Sequence, residues 1–467
     1  MILTHAILQI NTTPGESFTS GTGLTNKIKK VYNNMDDTTR KSSNKKTARD
    51  VVVDDDEGEN DTKRHRTDDA NTAASINHKD SHNNPVVPEP VTSASTTGTG
   101  TGSGSGNVAA VTVTTTTTAN DELPSTTSEL MEVLCSIISD RYTREEALYT
   151  LVRLSKWAKT KNGNFLRLFH ACNGVLIVLN FIKKTMNDGN CVGQVRMECI
   201  EKAAQVITGV INPDKNKVNF PLAAKIAASI LECDGINTLI NASEEYDGRE
   251  DVPELNALCL VWKALDNITA FETDVMTEDV INKDQTIALF DTGIDVISQL
   301  KSVHGDVASE ILELVFGALN NCIKFSRSYV TTKYFQDKDI LAKCLEVFKM
   351  DDDGDTWTCR SENAMEATIL FFYTCYSKAL LDRSSDYEIL LPLLVMVLKV
   401  YPSNDGIRHK AMMLIRDACS IVNDRKTIER SGAMEVLGAL LASDNINEAE
   451  KRKARFLTRL ITAPRRN

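Results

Sequence analysis

The sequence predicts an all-α solenoid, built from repeated helical units and preceded by a long disordered N-terminal arm. Three observations carry that expectation. Apolar residues recur at helical spacing from about Thr126 to the end of the chain. Short stretches of similar sequence return along the same region. Aromatic residues are almost confined to it: of three Trp, ten Tyr and fourteen Phe, only Phe18 and Tyr32 come earlier. A length of 467 residues alone would favour about three domains. The aromatic distribution favours instead one folded region, 126–467, behind a low-complexity arm, 1–125.

The arm shows why it is not expected to fold. Residues 92–118 hold 11 Thr, 4 Ser and 5 Gly, too little apolar surface to offset the entropy of ordering. The β-branched run from Val111 to Thr118 has no apolar face to pair, so a flexible linker is expected. Lys45-Lys46 and Lys63-Arg64-His65-Arg66 could form a two-part nuclear-localisation signal. The sixteen residues between them, 47–62, carry Asp54, Asp55, Asp56 and Glu57, which would weaken capture by an acidic receptor. A charge-mixed tail fits the same residues. The first ten residues, MILTHAILQI, lack a basic leader, and no window approaches the ~18 apolar residues a membrane span needs.

Beyond the arm, helices are legible residue by residue. Leu255, Leu258, Cys259, Trp262, Leu265 and Ile268 form one stripe of a helix, with Leu260, Val261 and Ala264 beside it. Such a wide apolar face suits a helix held between neighbours. Pro253 and Glu254 suit its first turn. Ile311, Val315, Ala318, Cys322 and Phe325 repeat the arrangement. No sustained period-two alternation interrupts the pattern.

The units repeat. A short helix opening at Gly is expected at Gly174–Leu179, Gly235–Ile240, Gly293–Ile297 and Gly432–Leu437, with variants at Asp339–Leu345 and Glu388–Leu394. A longer helix lies between them, clearest at Ala264-Leu-Asp-Asn-Ile268 and Ala318-Leu-Asn-Asn-Cys322. Such a pair cannot cover both apolar faces by itself, whereas a stack of copies can, with capped ends.

These units resemble armadillo repeats, in which an ALxN helix is followed by a helix opening Gly-Ala/Ile-x-x-Leu. Ile428–Leu441 is the best match, and the resemblance covers roughly 130–462. It implies an α-α superhelix whose ALxN helices line a concave groove, where the Asn binds the backbone of an extended peptide. The matching positions are Asn267 and Asn321, with Gly209, Asp417 and Arg459 equivalent in other repeats. Importin-α-like carriers also place a Trp four residues before the Asn. Here Lys263 and Gly317 stand there, and Trp262, one place off, should point into the core. That departure argues against nuclear-signal binding. The candidate partner-binding residues are therefore Lys263, Asn267, Asn321, Asp417 and Arg459, although an Asn at these places can equally brace a loop or helix surface.

The expected role is a scaffold or adaptor for a protein or extended-peptide partner. The alternative implied by fold likeness is a regulatory or nucleotide-exchange factor for a chaperone ATPase or small GTPase. Net charge of −11, divided as −4 before residue 126 and −7 after it, disfavours nucleic acid. Lys451, Arg452, Lys453, Arg455 and Arg459 offer a local acidic-partner patch or, as the simpler reading, a solvated terminal cap.

Residues 351–362 resemble an EF-hand loop, with Asp351, Asp353, Asp355 and Glu362 at ligand positions. Thr356 replaces the Gly that the sharp turn needs, so an acidic connection with Ser361 capping the next helix is the simpler reading. His170, His304 and His409 fall in separate repeats, and no phosphate-binding loop is evident. No enzyme activity, cofactor or bound metal is expected. Eleven cysteines, without a CxxC pair, read as free thiols in a reducing compartment, cytoplasmic or nuclear.

Overall fold

The computed structural model describes residues 122–463, apart from 140–142, 212–218, 249–250, 272–281, 326–329, 349–359, 382 and 423–424. The described residues form eighteen helices and no strand. In chain order these begin α1 (Thr127–Ile138), α2 (Arg144–Lys159), α3 (Gly163–Ala171), α4 (Gly174–Asn187), α5 (Gly193–Val210) and α6 (Phe220–Glu232). They continue with α7 (Gly235–Ser243), α8 (Val252–Thr269), α9 (Lys283–Gln299), α10 (Asp306–Phe325), α11 (Thr332–Asp337) and α12 (Ile340–Glu346). The last are α13 (Glu362–Ser377), α14 (Ser384–Val400), α15 (Asp405–Ile421), α16 (Arg425–Arg430), α17 (Ala433–Ala442) and α18 (Glu448–Thr462).

Two rows of helices make the solenoid. In the first, α2, α5, α8, α10, α13, α15 and α18 each pack on the next. In the second, α1, α4, α7, α9, α12, α14 and α17 do the same. The short helices α3, α6, α11 and α16 each lie against the second-row helix that follows them. Four of the seven units therefore contain three helices, where sequence alone indicates two. A single apolar cluster runs from Leu130 in α1 to Ile461 in α18. The stripe read in α8 is its core face: Leu258, Trp262, Leu265 and Ile268 are buried, and the Trp262 indole donates to Ser243 Oγ at 2.9 Å.

The junction between short and second-row helices explains the recurrent Gly. Asn173, Asp234, Asp339 and Gly432 occupy the same place, just before α4, α7, α12 and α17, with φ of 51°, 59°, 50° and 81°. Asn, Asp and Gly are the residues that tolerate this left-handed conformation. Gly174 and Gly235 stand one place later and serve a different purpose. A Cβ on Gly235 would lie 2.4 Å from Ile230 Cγ2 and 2.7 Å from the Ile230 carbonyl oxygen, and one on Gly174 would lie 2.6 Å from the Phe169 ring. Those glycines let the two helices meet. Gly432 is thus in register with Asn173, not with Gly174, which corrects the sequence alignment by one residue.

Two expected helix starts are absent. Gly293 and Glu388 lie inside α9 and α14, which run through the junction unbroken. The residues before them are Thr292 and Tyr387, and a branched or bulky side chain disfavours the left-handed turn. Gly293 is retained as a close contact, 3.1 Å from Leu319 and 3.2 Å from Trp262 for an added Cβ.

Buried arginines tie units together. Arg360, just before α13, donates to the carbonyls of Leu300 at 3.0 Å, Val303 at 2.7 Å and Val347 at 3.2 Å. It thus serves the C-terminal ends of α9 and α12, where cations are favoured. Burial lowers its pKa from the usual arginine value. Arg408 of α15 is buried and donates through Nε to Glu450 of α18 at 3.0 Å.

The ten described cysteines are free, and burial pushes Cys172 up to about 11 and Cys259 and Cys322 to about 12. Among the described residues no single helix is long and apolar enough to cross a membrane.

The close approach at Gly235 has a measurable consequence. Gly235→Ala should lower stability by about 2–3 kcal/mol, because backbone as well as side chain must shift. Gly438→Ala, in α17 with open space around it, should raise stability by about 0.5–1 kcal/mol by removing helix-disfavouring glycine. Urea unfolding followed by circular dichroism measures both, and equal effects would refute the packing account.

Candidate interaction surface

The first-row helices are flanked on both sides from α5 to α15, yet each keeps one outward strip. In α5 the strip includes Gln205, in α8 Lys263 and Asn267, and in α10 Glu310, Glu313 and Asn321. In α13 it includes Glu366, Leu370 and Tyr373, in α15 His409, Lys410, Met413 and Arg416, and in α18 Lys453, Phe456 and Arg459. The 3.6-residue period and the row packing together produce this: three sides of each helix are used in burial and the fourth faces outward.

Neighbouring strips are laced by hydrogen bonds. Asn267 Nδ2 donates to the Ile211 carbonyl at the end of α5, at 3.3 Å. Asn321 Nδ2 donates to Asp266 Oδ1 at 3.2 Å and Thr269 Oγ1 at 3.4 Å, joining α10 to α8. Thr374 Oγ1 donates to Asn320 Oδ1 at 2.6 Å, joining α13 to α10. Lys410 Nζ lies 3.5 Å from Glu366, joining α15 to α13. Lys453 Nζ lies 2.6 Å from His409 Nδ1, joining α18 to α15. An ammonium only donates, so the His409 nitrogen facing it accepts and the ring is neutral there. Burial and then Lys453 push the His409 pKa down, consistent with that assignment.

The sequence-derived residues divide on this surface. Asn267 and Asn321 are half-buried and both brace the preceding helix through their amides. Lys263 is more open and pairs with Glu310 at 3.2 Å, with side chains 45% and 47% exposed, a geometry worth little to stability. Asp417 is buried and accepts from Arg416 Nε at 2.9 Å, while Tyr376 approaches it from α13. Burial and then Asp417 push the Tyr376 phenol up. Arg459 is exposed on α18. Gly209 does not line the strip as an asparagine would: a Cβ there would lie 2.7 Å from Ala158 Cβ, so it is a contact between α5 and α2.

Asp266 sits inside the Ala-Leu-Asp-Asn stretch, one place before the candidate Asn267. Gly317 leaves room for it, since a Cβ at that position would come within 2.7 Å of Asp266 Oδ1. Burial, and then the neighbouring Glu313, push the Asp266 carboxyl up to about 7. Glu313 is itself raised by burial, opposed by a hydrogen bond from Asn363 of α13. The signal that could have found the pair is the small residue facing an acid one unit away.

The EF-hand-like stretch lies outside the described residues except for its last three. Ser361 caps α13, accepting from the Ala364 amide at 3.2 Å, as the simpler reading expects. Glu362 accepts from Asn404 Nδ2 at 2.8 Å. His170, His304 and His409 lie in α3, before α10 and in α15. Among the described residues no group of three or more His, Cys, Asp or Glu side chains is placed to hold a metal ion.

No protein-family model matches this chain, and no curated protein matches it. Solved structures with similarity include two crystal structures of engineered proteins. One is 14% identical, with a TM-score of 0.33, over 72% of this chain and 97% of its own. The other is 13% identical, with a TM-score of 0.23, over 72% of this chain and 99% of its own.

The raised Asp266 pKa fixes a sign. The folded value, about 7, exceeds the ordinary 3.8, so the stability linked to this proton is complete below about pH 4 and lost as pH rises through 7. Asp266→Asn, which keeps an oxygen for Asn321, should match the parent near pH 4 and exceed it by about 4 kcal/mol at pH 8. Urea titrations at the two pH values compare them. A variant less stable at pH 8 would show that the ionised carboxylate is favoured instead.

Proposed function

We propose that this protein is an interaction scaffold or adaptor that binds partner polypeptides along the outward strips of its first-row helices. The observation supporting this reading is the continuity of those strips from α5 to α18. A surface that long and shallow suits an extended chain better than a small molecule. The finer reading is an armadillo-like groove, supported by the Ala-Leu-x-Asn stretches in α8 and α10 and by the close-packed helix junctions at Gly174 and Gly235. In that reading Asn267, Asn321 and buried Asp417 brace the stack while Lys263 and Arg459 border the bound chain. Binding without catalysis, in the cytoplasm or nucleus, is part of the same proposal, and the free, buried cysteines fit a reducing compartment.

Affinity capture with the full chain tests it. Lys263→Glu combined with Glu310→Lys should remove specific partners. Ile389→Ser and Glu435→Lys, exposed on the second row in α14 and α17, should leave them bound. The reverse pattern would place binding on the other side of the solenoid and refute the reading.

A further inference from the structure

We propose that the C-terminal end of the first-row surface, centred on Phe456 of α18, is the docking site for an acidic polypeptide segment with apolar anchor residues. This rests on the scaffold reading and names the chemistry of one partner.

Successive residues in α18 are turned by about 100°, so positions three and four apart share a face. Around Phe456, Lys453 and Leu460 fall toward α15, while Arg452 and Arg459 fall on the opposite flank. Phe456 thus stands in the middle of a cationic arc, 54% exposed. A solvent-facing side of a helix gains nothing from an exposed phenyl ring. An aromatic among arginines is the composition of a binding hot spot.

Charge points the same way. The helix carries Lys451, Arg452, Lys453, Arg455 and Arg459 against Glu448 and Glu450. Glu450 is occupied by buried Arg408, and Glu448 reaches only Arg455, at 3.5 Å. Arg452 donates through Nε to the Glu448 carbonyl, which leaves its charge uncompensated. Among the described residues Lys451, Arg452, Lys453 and Arg459 make no ion pair with a carboxylate. Lys453 instead rests on neutral His409. Such a concentration of positive charge on a chain of net −11 selects an acidic ligand, and guanidinium groups bind carboxylates with directional pairs of hydrogen bonds.

The cations continue onto α15, where Lys410 is 21% and Arg416 38% exposed, beside half-buried Met413. Both are less exposed than Phe456 and each is already paired, Lys410 with Glu366 and Arg416 with Asp417. An extended polypeptide can reach side chains of unequal exposure, whereas a bilayer meets only the outermost residues, which favours a polypeptide over a membrane.

The test uses the full chain and fluorescein-labelled 12-residue peptides in anisotropy titrations. One probe alternates Glu with Leu, one is all Glu, and one alternates Lys with Leu. The Glu/Leu probe should bind, more than 5-fold tighter than all-Glu, and its Kd should rise with added salt. Phe456→Ser should weaken it at least 10-fold. Arg452→Glu with Arg459→Glu should weaken it at least 30-fold, with circular dichroism confirming an unchanged helix content. Wild-type affinity in both variants would overturn the proposal. So would capture by phosphatidylserine vesicles with no peptide binding. Loss of the Glu/Leu probe on Lys263→Glu but not on Phe456→Ser would overturn this site and leave the scaffold reading standing. Binding of no probe, together with failure of the capture experiment above, would remove both.

Discussion

Every interior helix of the two rows is apolar on more sides than one neighbour can cover. That constraint organises the molecule. A helix such as α8 buries Leu258, Trp262, Leu265 and Ile268 at once, against α5 on one flank, α10 on the other and α7 behind. Only another copy of the same unit offers a matching surface, so the units propagate in one dimension and stability is shared between nearest neighbours. What remains for function is the fourth side.

The polar contacts between units follow from the same arrangement. A row of helices places one beside the next, and buried or half-buried polar groups between them must find partners across the gap. Asn321 with Asp266, Thr374 with Asn320 and Arg408 with Glu450 are solutions of that requirement at successive steps. They fix register between units, which apolar packing alone leaves adjustable. The cost is visible at Asp266, where burial holds a carboxyl far above its ordinary titration range.

Much of this was legible in the residues. The 3.6-residue period located the long helices, and Trp262 points inward as its place one residue before Lys263 demanded. Ser361 begins α13 as its cap. The junctions were harder to read. Sequence comparison aligns glycines, whereas the fold aligns the residue with positive φ, and Asn173, Asp234, Asp339 and Gly432 share conformation without sharing a side chain. The continuous helices α9 and α14 depend on Thr292 and Tyr387 refusing that turn, a negative signal that periodicity does not carry. Of the two roles open to Asn267 and Asn321 in the sequence, their amides take the bracing one, each turned toward the preceding helix. That outcome depends on which groups lie across a gap in space, and Gly317 opposite Asp266 is the clearest case.

Arg360 has an implication for how such a chain can change. Its guanidinium grips the ends of α9 and α12, while the Tyr401 hydroxyl, just past α14, donates to its carbonyl at 2.6 Å. One residue thus holds the start of α13 to three other helices at once. A substitution at that single place would loosen several units together, so divergence of the repeats is least free there.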